Sequence, residues 1–144
     1  MEKILRKKSV FLAIFLLACI HLAVVCFVSC AASSSQPKYR KISARQAKNM
    51  MDKNKSYILL DVRTKEEFRE KHIKGALLIP DTEIKKRAAA ELPNKNALIL
   101  IYCLRGRRSA NAARQLIEMG YTNVYDFGGI INWPYDTESA KNNP

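Results

Sequence analysis

The chain has 144 residues, which is enough for one domain and an N-terminal leader but too few for two full domains. It carries 25 lysine and arginine residues against 13 acidic ones, a formal net charge of +12 at pH 7. The basic residues are scattered and aromatic residues do not alternate with them, so we expect anionic lipid or an anionic substrate, and no nucleic acid, as the partner.

The first thirty residues differ from the rest of the chain. A basic start from Lys3 to Lys8 precedes an apolar run from Val10 to Val28, which only His21 interrupts. This layout is typical of an export signal or an N-terminal membrane anchor, and spanning a bilayer takes about 20 such residues. We therefore predict that residues 1–30 are a signal peptide or anchor. The rest of the chain would then lie outside the cytoplasm, in a bacterial cell envelope or periplasm, tethered to the membrane through its N-terminus.

Three of the four cysteines lie in this leader, at positions 19, 26 and 30. The segment around Cys30 resembles a bacterial lipoprotein signal, in which a small residue precedes the lipidated cysteine and a polar tether follows. Cys30 is therefore the predicted lipidation site, with an uncleaved anchor or ordinary cleavage near Ala31 as alternatives. Residues 31–38 are rich in serine and are predicted to form the flexible tether.

Beyond the tether, apolar runs alternate with helical patterns. We predict a short edge strand from Tyr39 to Ile42 and a helix capped by Ser43 that runs to about Lys53. A buried strand follows from Ser56 to Val62. Thr64-Lys65-Glu66-Glu67 is typical of a capping box and opens a short helix in which Phe68 faces inward.

The second half of the domain continues the alternation. The predicted elements are a strand from Ala76 to Ile79, a helix from Thr82 to Leu92, a strand from Ala97 to Tyr102, a helix from near Arg108 to Gly120, and a strand from Asn123 to Phe127. This order predicts an α/β fold with right-handed crossovers, a mainly parallel sheet and helices on both faces. From Asp136 onward we expect a loose polar tail.

The segment from Cys103 to Ser109 is the main candidate for chemistry. It places a lone thiol and an arginine-rich loop between a buried strand and a helix, where open α/β sheets bind ligands. The N-terminus of the helix and the cations of Arg105, Arg107 and Arg108 favour the thiolate, which is the reactive form of cysteine. Cys103 is therefore the predicted nucleophile.

Four motifs occur in a characteristic order: Asp61-Val62-Arg63, His72 to Ala76, Cys103 to Ser109, and Gly128 to Trp133. Together they resemble the single-domain rhodanese family over most of the predicted domain, residues 39–136, which leaves 137–144 as the polar tail. The resemblance implies a five-stranded parallel sheet. It also implies a sulfurtransferase that passes a sulfane sulfur, through a persulfide on its cysteine, from a donor such as thiosulfate to cyanide, a thiol or a protein.

The resemblance also implies roles for individual residues. The loop formed by Leu104, Arg105, Gly106, Arg107, Arg108 and Ser109 would cradle the persulfide or the anionic donor with its backbone N–H groups. We expect Arg108 to brace the loop, and Arg105 and Arg107 to meet the donor. Asp61 and Arg63 would support the loop from beneath, while His72 would take no chemical part. No metal or other cofactor is expected.

Two other functions remain as alternatives. A phosphatase or arsenate reductase of related fold also places a cysteine in an anion-binding loop, but its loop is longer than the segment between Cys103 and Arg108, and no general acid is evident here. A rhodanese module that carries sulfur or docks a partner without turnover would keep the same residues.

Overall fold

The computed structural model of the protein describes residues 38–139. The predicted leader, lipidation at Cys30 and nearly all of the predicted tether lie outside the described residues, as does the tail beyond Ser139. Within residues 38–139, no helix is long and apolar enough to cross a membrane.

The described domain is built on a five-stranded sheet in which every strand pairing is parallel. The strands are β1 (Arg40–Lys41), β2 (Ile58–Asp61), β3 (Leu77–Leu78), β4 (Ile99–Cys103) and β5 (Val124–Gly129), and their spatial order is β1-β5-β4-β2-β3. All residues of β4 are buried, as expected for a central strand that is apolar on both faces. The predicted α/β class and five-stranded parallel sheet are confirmed.

Helices cover both faces of this sheet. They are α1 (Ala44–Lys53), α2 (Lys65–Glu70), α3 (Ile84–Glu91) and α4 (Arg107–Glu118), followed by a short 3-10 helix at Ile130–Asn132. Buried residues of α3 and α4 form one core with Ile99, Ile101 and Cys103 of β4. The other core contains Leu100 and Tyr102 together with α1 and Trp133. Since side chains alternate along a strand, Cys103 faces the α4 side of the sheet.

Local sequence signals set the starts of two helices. Ser43 Oγ accepts a hydrogen bond from the Gln46 amide, and Gln46 Oε1 accepts one from the Ser43 amide at 2.8 Å. Thr64 and Glu67 form the same reciprocal pair at the start of α2. Both are complete capping boxes, as the sequence predicts for Thr64.

Several element boundaries differ from the predictions. β2 begins at Ile58, two residues later than the predicted start at Ser56. Tyr57, which precedes the strand, is 36% exposed. α3 begins at Ile84 because a turn closed by the Glu83 amide and the Pro80 carbonyl comes first. β4 extends to Cys103 and α4 begins at Arg107, so the turn between them is shorter than expected.

The chain beyond Asp136 also differs from the predicted loose tail. The amide of Glu138 donates to the His72 carbonyl, and the His72 amide donates to the Glu138 carbonyl, both at 2.8 Å. His72 is buried, stacks on Phe68 with ring centroids 3.8 Å apart, and contacts the Phe68 carbonyl through Nδ1. This long-range pairing holds Glu138 against the domain, and a local reading of the polar sequence gives no sign of it.

The packing of α4 against the sheet leads to a stability prediction. Leu116 is fully buried, so Leu116→Ala should lower the free energy of unfolding by about 2–5 kcal/mol in chemical denaturation. The matched control is Leu77→Ala on the edge strand, where the leucine is 36% exposed and the cost should be about 1 kcal/mol or less. Equal losses at the two positions would contradict this assignment of the core.

Candidate active site

Cys103 lies at the carboxyl end of β4, directly before the turn into α4. The residue is 1% exposed, yet it lines a depression of about 300 Å³ together with Leu104, Arg105, Arg107 and Arg108. The Gly106 amide donates to its Sγ at 3.1 Å. The structure therefore brings the predicted nucleophile and most of its predicted loop to one small opening on the surface.

Opposing influences set the pKa of Cys103. Burial is the largest, and by itself it raises the pKa of the thiol. Hydrogen bonds from the amide and hydroxyl of Ser109 and from the amides of Gly106 and Arg105 outweigh it, so the pKa lies below its ordinary value. The leading stabilisation of the thiolate thus comes from the backbone and Ser109, whereas the sequence had also directed attention to the charges of the arginines.

Close approach of β5 shapes the loop around the sulfur. A Cβ added at Gly129 would lie 2.4 Å from the Leu104 carbonyl oxygen and 2.8 Å from the Arg105 Cα. Gly106 has a φ of +96°, a conformation that favours glycine, and the Gly128 backbone packs against it. The sequence motif contained both Gly128 and Gly129, but only the structure shows that Gly129 makes room for the loop.

Ser109 contacts both the loop and the carboxyl end of β5. It is fully buried in the first turn of α4, and its hydroxyl lies 3.1 Å from the Gly106 carbonyl and 3.3 Å from the Gly128 carbonyl. A hydroxyl has one proton to donate, so at any moment Ser109 can donate either to one of these carbonyls or to the Cys103 thiolate.

The three arginines of the loop have different environments. Arg108 donates from both terminal nitrogens to the two carboxylate oxygens of Glu67, each at 2.7 Å. Arg105 and Arg107 are exposed and make no ion pair with any residue between 38 and 139. Arg108 is therefore held by a carboxylate of α2, whereas Arg105 and Arg107 have no ionic partner in this range. That Arg108 braces the loop and that the other two meet the donor stay predictions.

Sequence reasoning recognised Glu67 only as part of a capping box. In the structure the hydrogen bonds from Arg108, which outweigh the effect of burial, lower the pKa of Glu67 to about 2. The carboxylate is therefore ionised throughout the physiological range. No local signal links Glu67 to a loop 41 residues further along the chain.

Asp61 and Arg63, which the family resemblance assigns to support the loop from beneath, contact the residue before Cys103, since the Arg63 guanidinium lies 5.7 Å from the centre of the Tyr102 ring. Their supporting role stays a prediction. They form a buried ion pair at 2.7 Å, and Arg63 also donates to the Lys71 carbonyl. Within the described residues their hydrogen bonds do not reach the cysteine loop. They hold the end of β2 to the segment after α2, and β2 continues into Val62, whose amide donates to the Tyr102 carbonyl beside Cys103.

No group of three or more His, Cys, Asp or Glu side chains between residues 38 and 139 is placed to hold a metal ion. His72 contacts Phe68 and Glu138, away from the residues that line the opening. The residues that line the opening are one cysteine, one leucine and three arginines.

Comparison with known proteins identifies the family. The model of the Rhodanese-like domain matches residues 43–134. The chain belongs to the rhodanese-like domain family. The predicted resemblance is confirmed for the domain, and it leaves the leader untested.

Several rhodanese relatives are similar in sequence. Thiosulfate sulfurtransferase PspE of Escherichia coli is 44% identical over 71 residues, which cover 49% of this chain and 68% of that protein. Thiosulfate sulfurtransferase GlpE of Coxiella burnetii is 30% identical over 108 residues, or 73% and 98% of the two chains. The putative sulfur carrier protein YrkF of Bacillus subtilis is 40% identical over 99 residues, which span 68% of this chain but 52% of that protein.

Solved rhodanese structures share the fold. A rhodanese with anions from E. coli is 37% identical with a TM-score of 0.55, covering 58% of this chain and 99% of that one. A rhodanese-like domain protein from Staphylococcus aureus is 32% identical with a TM-score of 0.61, covering 69% and 97%.

The role of Ser109 in this rhodanese site leads to a prediction. Ser109→Ala removes a hydroxyl that stabilises the thiolate, so the pKa of Cys103 should rise. Alkylation of Cys103 by iodoacetamide at pH 7 should slow by about threefold to tenfold, and its pH profile should move to higher pH. Ser56→Ala, in an exposed bend, is the control. An unchanged profile for Ser109→Ala would show that the hydroxyl does not act on the sulfur.

Proposed function

We propose that the protein is a rhodanese-type sulfurtransferase that carries a sulfane sulfur as a persulfide on Cys103. The observation that carries this proposal is a buried thiol whose pKa is lowered by surrounding hydrogen bonds, at the base of an opening lined by arginines. Relatives named thiosulfate sulfurtransferase support activity of this type. The thiosulfate donor and the acceptor given below are part of the proposal.

In the first step the Cys103 thiolate attacks the outer sulfur of thiosulfate. A new S–S bond forms, the bond to the sulfonate sulfur breaks, and sulfite leaves with the electron pair. The unpaired cations of Arg105 and Arg107 would attract the dianionic donor. The amides around Cys103 would then stabilise the terminal persulfide sulfur, as they stabilise the thiolate.

In the second step an acceptor nucleophile attacks the terminal sulfur. With cyanide the product is thiocyanate, and with a thiolate it is a new persulfide on the acceptor. The Cys103 thiolate leaves with the electron pair of the broken S–S bond. A thiol of lowered pKa is the better leaving group, so the same hydrogen bonds assist both steps.

The arrangement of the site also bears on the alternatives. Phosphate ester hydrolysis needs a proton donor for the leaving group, and the residues that line the opening include no carboxylate or histidine. A carrier that is loaded once and discharged onto a partner protein uses the same site as an enzyme. The similarity to a putative sulfur carrier protein favours keeping that second candidate.

Mass spectrometry of the full chain tests the persulfide. Incubation with thiosulfate should add one sulfur atom to Cys103, cyanide should remove it, and Cys103→Ser should not acquire it. Repeated production of thiocyanate would support an enzyme, and a single loading with no turnover would support the carrier. Failure of every donor to load Cys103 would contradict both functions.

We also propose that the protein works outside the cytoplasm, attached to the membrane through residues 1–30. The apolar leader and the lipoprotein-like segment at Cys30 support this location. Fractionation of bacteria that express the full chain should recover it with the membranes, and Cys30→Ser should abolish labelling by a fatty acid. Membrane recovery without labelling would favour the uncleaved anchor, whereas recovery in the cytoplasm would contradict the proposed location.

A further inference from the structure

The pair formed by Glu67 and Arg108 joins two elements beside the nucleophile. Glu67 lies in the first turn of α2, Arg108 lies in the first turn of α4, and Arg108 lines the same opening as Cys103. We infer that Glu67 is a positioning residue that holds the Arg108 guanidinium away from the sulfur and cancels its charge. For its meaning in catalysis, this inference rests on the proposed function.

The geometry of the pair fixes the guanidinium in one orientation. Two parallel hydrogen bonds of 2.7 Å join the planar groups, an arrangement that a single bond to a lysine cannot reproduce. The two side chains are only 22% and 27% exposed, so solvent screens the interaction less than it screens a surface pair. The Thr64 amide also donates to Glu67 Oε2 at 3.0 Å, which anchors the carboxylate at the start of its helix.

Several charged groups lie around this pair, and Glu67 is the one that forms an ion pair with Arg108 among the residues from 38 to 139. The cation of Arg63 also acts on Glu67, and the negative charges of Cys103 and Asp81 also act on Arg108. Without Glu67, the Asp81 carboxylate and the Cys103 thiolate would remain to attract the guanidinium.

Loss of Glu67 would change the site because of the hydrogen-bond donors that Arg108 carries. A guanidinium has five N–H groups and no acceptor, so a free Arg108 would turn toward the thiolate or persulfide. It would then fill space that the incoming sulfur must occupy, and it would add a third unpaired cation to the opening. With Glu67 in place, the donor meets Arg105 and Arg107, and the sulfur is stabilised by amides and Ser109.

The experiment uses Glu67→Gln in the full chain, purified in detergent micelles. Glutamine keeps the capping box, as Gln46 does in the box of Ser43, but removes the negative charge. Rate constants for alkylation of Cys103 by anionic iodoacetate and neutral iodoacetamide are measured across pH by peptide mass spectrometry, since the chain has other cysteines. The ratio of the two rate constants reports the charge at the opening.

We expect Glu67→Gln to raise the iodoacetate-to-iodoacetamide ratio about threefold and to move the pH profile to lower pH, because Arg108 becomes an uncompensated cation. Arg108→Gln should lower the ratio, because Glu67 is then the unpaired charge. The double variant should return the ratio to that of the wild type. Glu66→Gln, which removes the neighbouring exposed carboxylate, should leave the ratio unchanged.

Two results would overturn the inference. An unchanged ratio in both single variants would show that the pair does not control charge at the sulfur. A parallel loss of both rates, with a profile moved to higher pH, would show that Glu67 only maintains loop structure. Alkylation needs no sulfur donor, so the two hypotheses can fail separately. If the variants follow the expected charge pattern but the wild-type protein never forms a persulfide, the proposed function is refuted and this inference stands.

Discussion

Burial of β4 on both faces is the constraint on which the rest of the structure depends. Its alternating side chains divide between two cores, and that division directs Cys103 toward α4. β4 is central and runs parallel to both of its neighbours. Its carboxyl end therefore lies at the same end of the sheet as the carboxyl ends of β2 and β5. Cys103 is therefore positioned by a rigid element, while the groups that act on its sulfur come from the following turn and helix.

Burying a thiol beside a hydrophobic core works against its reactivity, because a charged sulfur loses solvation there. The fold offsets this cost with donors that are already ordered, namely the amides at the start of α4 and the Ser109 side chain. Gly129 contributes by having no side chain, since a Cβ at that position would collide with the loop backbone. The proposed reactivity of Cys103 thus depends on the packing of β5 against the loop as well as on charge.

Electrostatic roles at the opening differ among residues of the same type. Arg108 is neutralised by Glu67, whereas Arg105 and Arg107 face solvent with their charges unpaired within residues 38–139. Asp61 and Arg63 form an ion pair with each other, and Arg63 also donates a hydrogen bond to the Lys71 carbonyl. The local charge that an anionic donor would meet is therefore smaller than the count of arginines in the loop indicates.

Sequence alone determined the features that depend on neighbouring residues: the apolar runs of the strands, the capping box at Thr64, and the position of Cys103 between a strand and a helix. These features follow from the periodicity of apolar residues and from hydrogen bonds between near neighbours, both of which can be read within a short segment of the sequence. The tertiary structure decided the pairing of Glu67 with Arg108, the clearance at Gly129 and the attachment of Glu138 to His72. Each joins residues far apart in the chain, so its partners became neighbours only when the sheet set the relative positions of the elements that carry them.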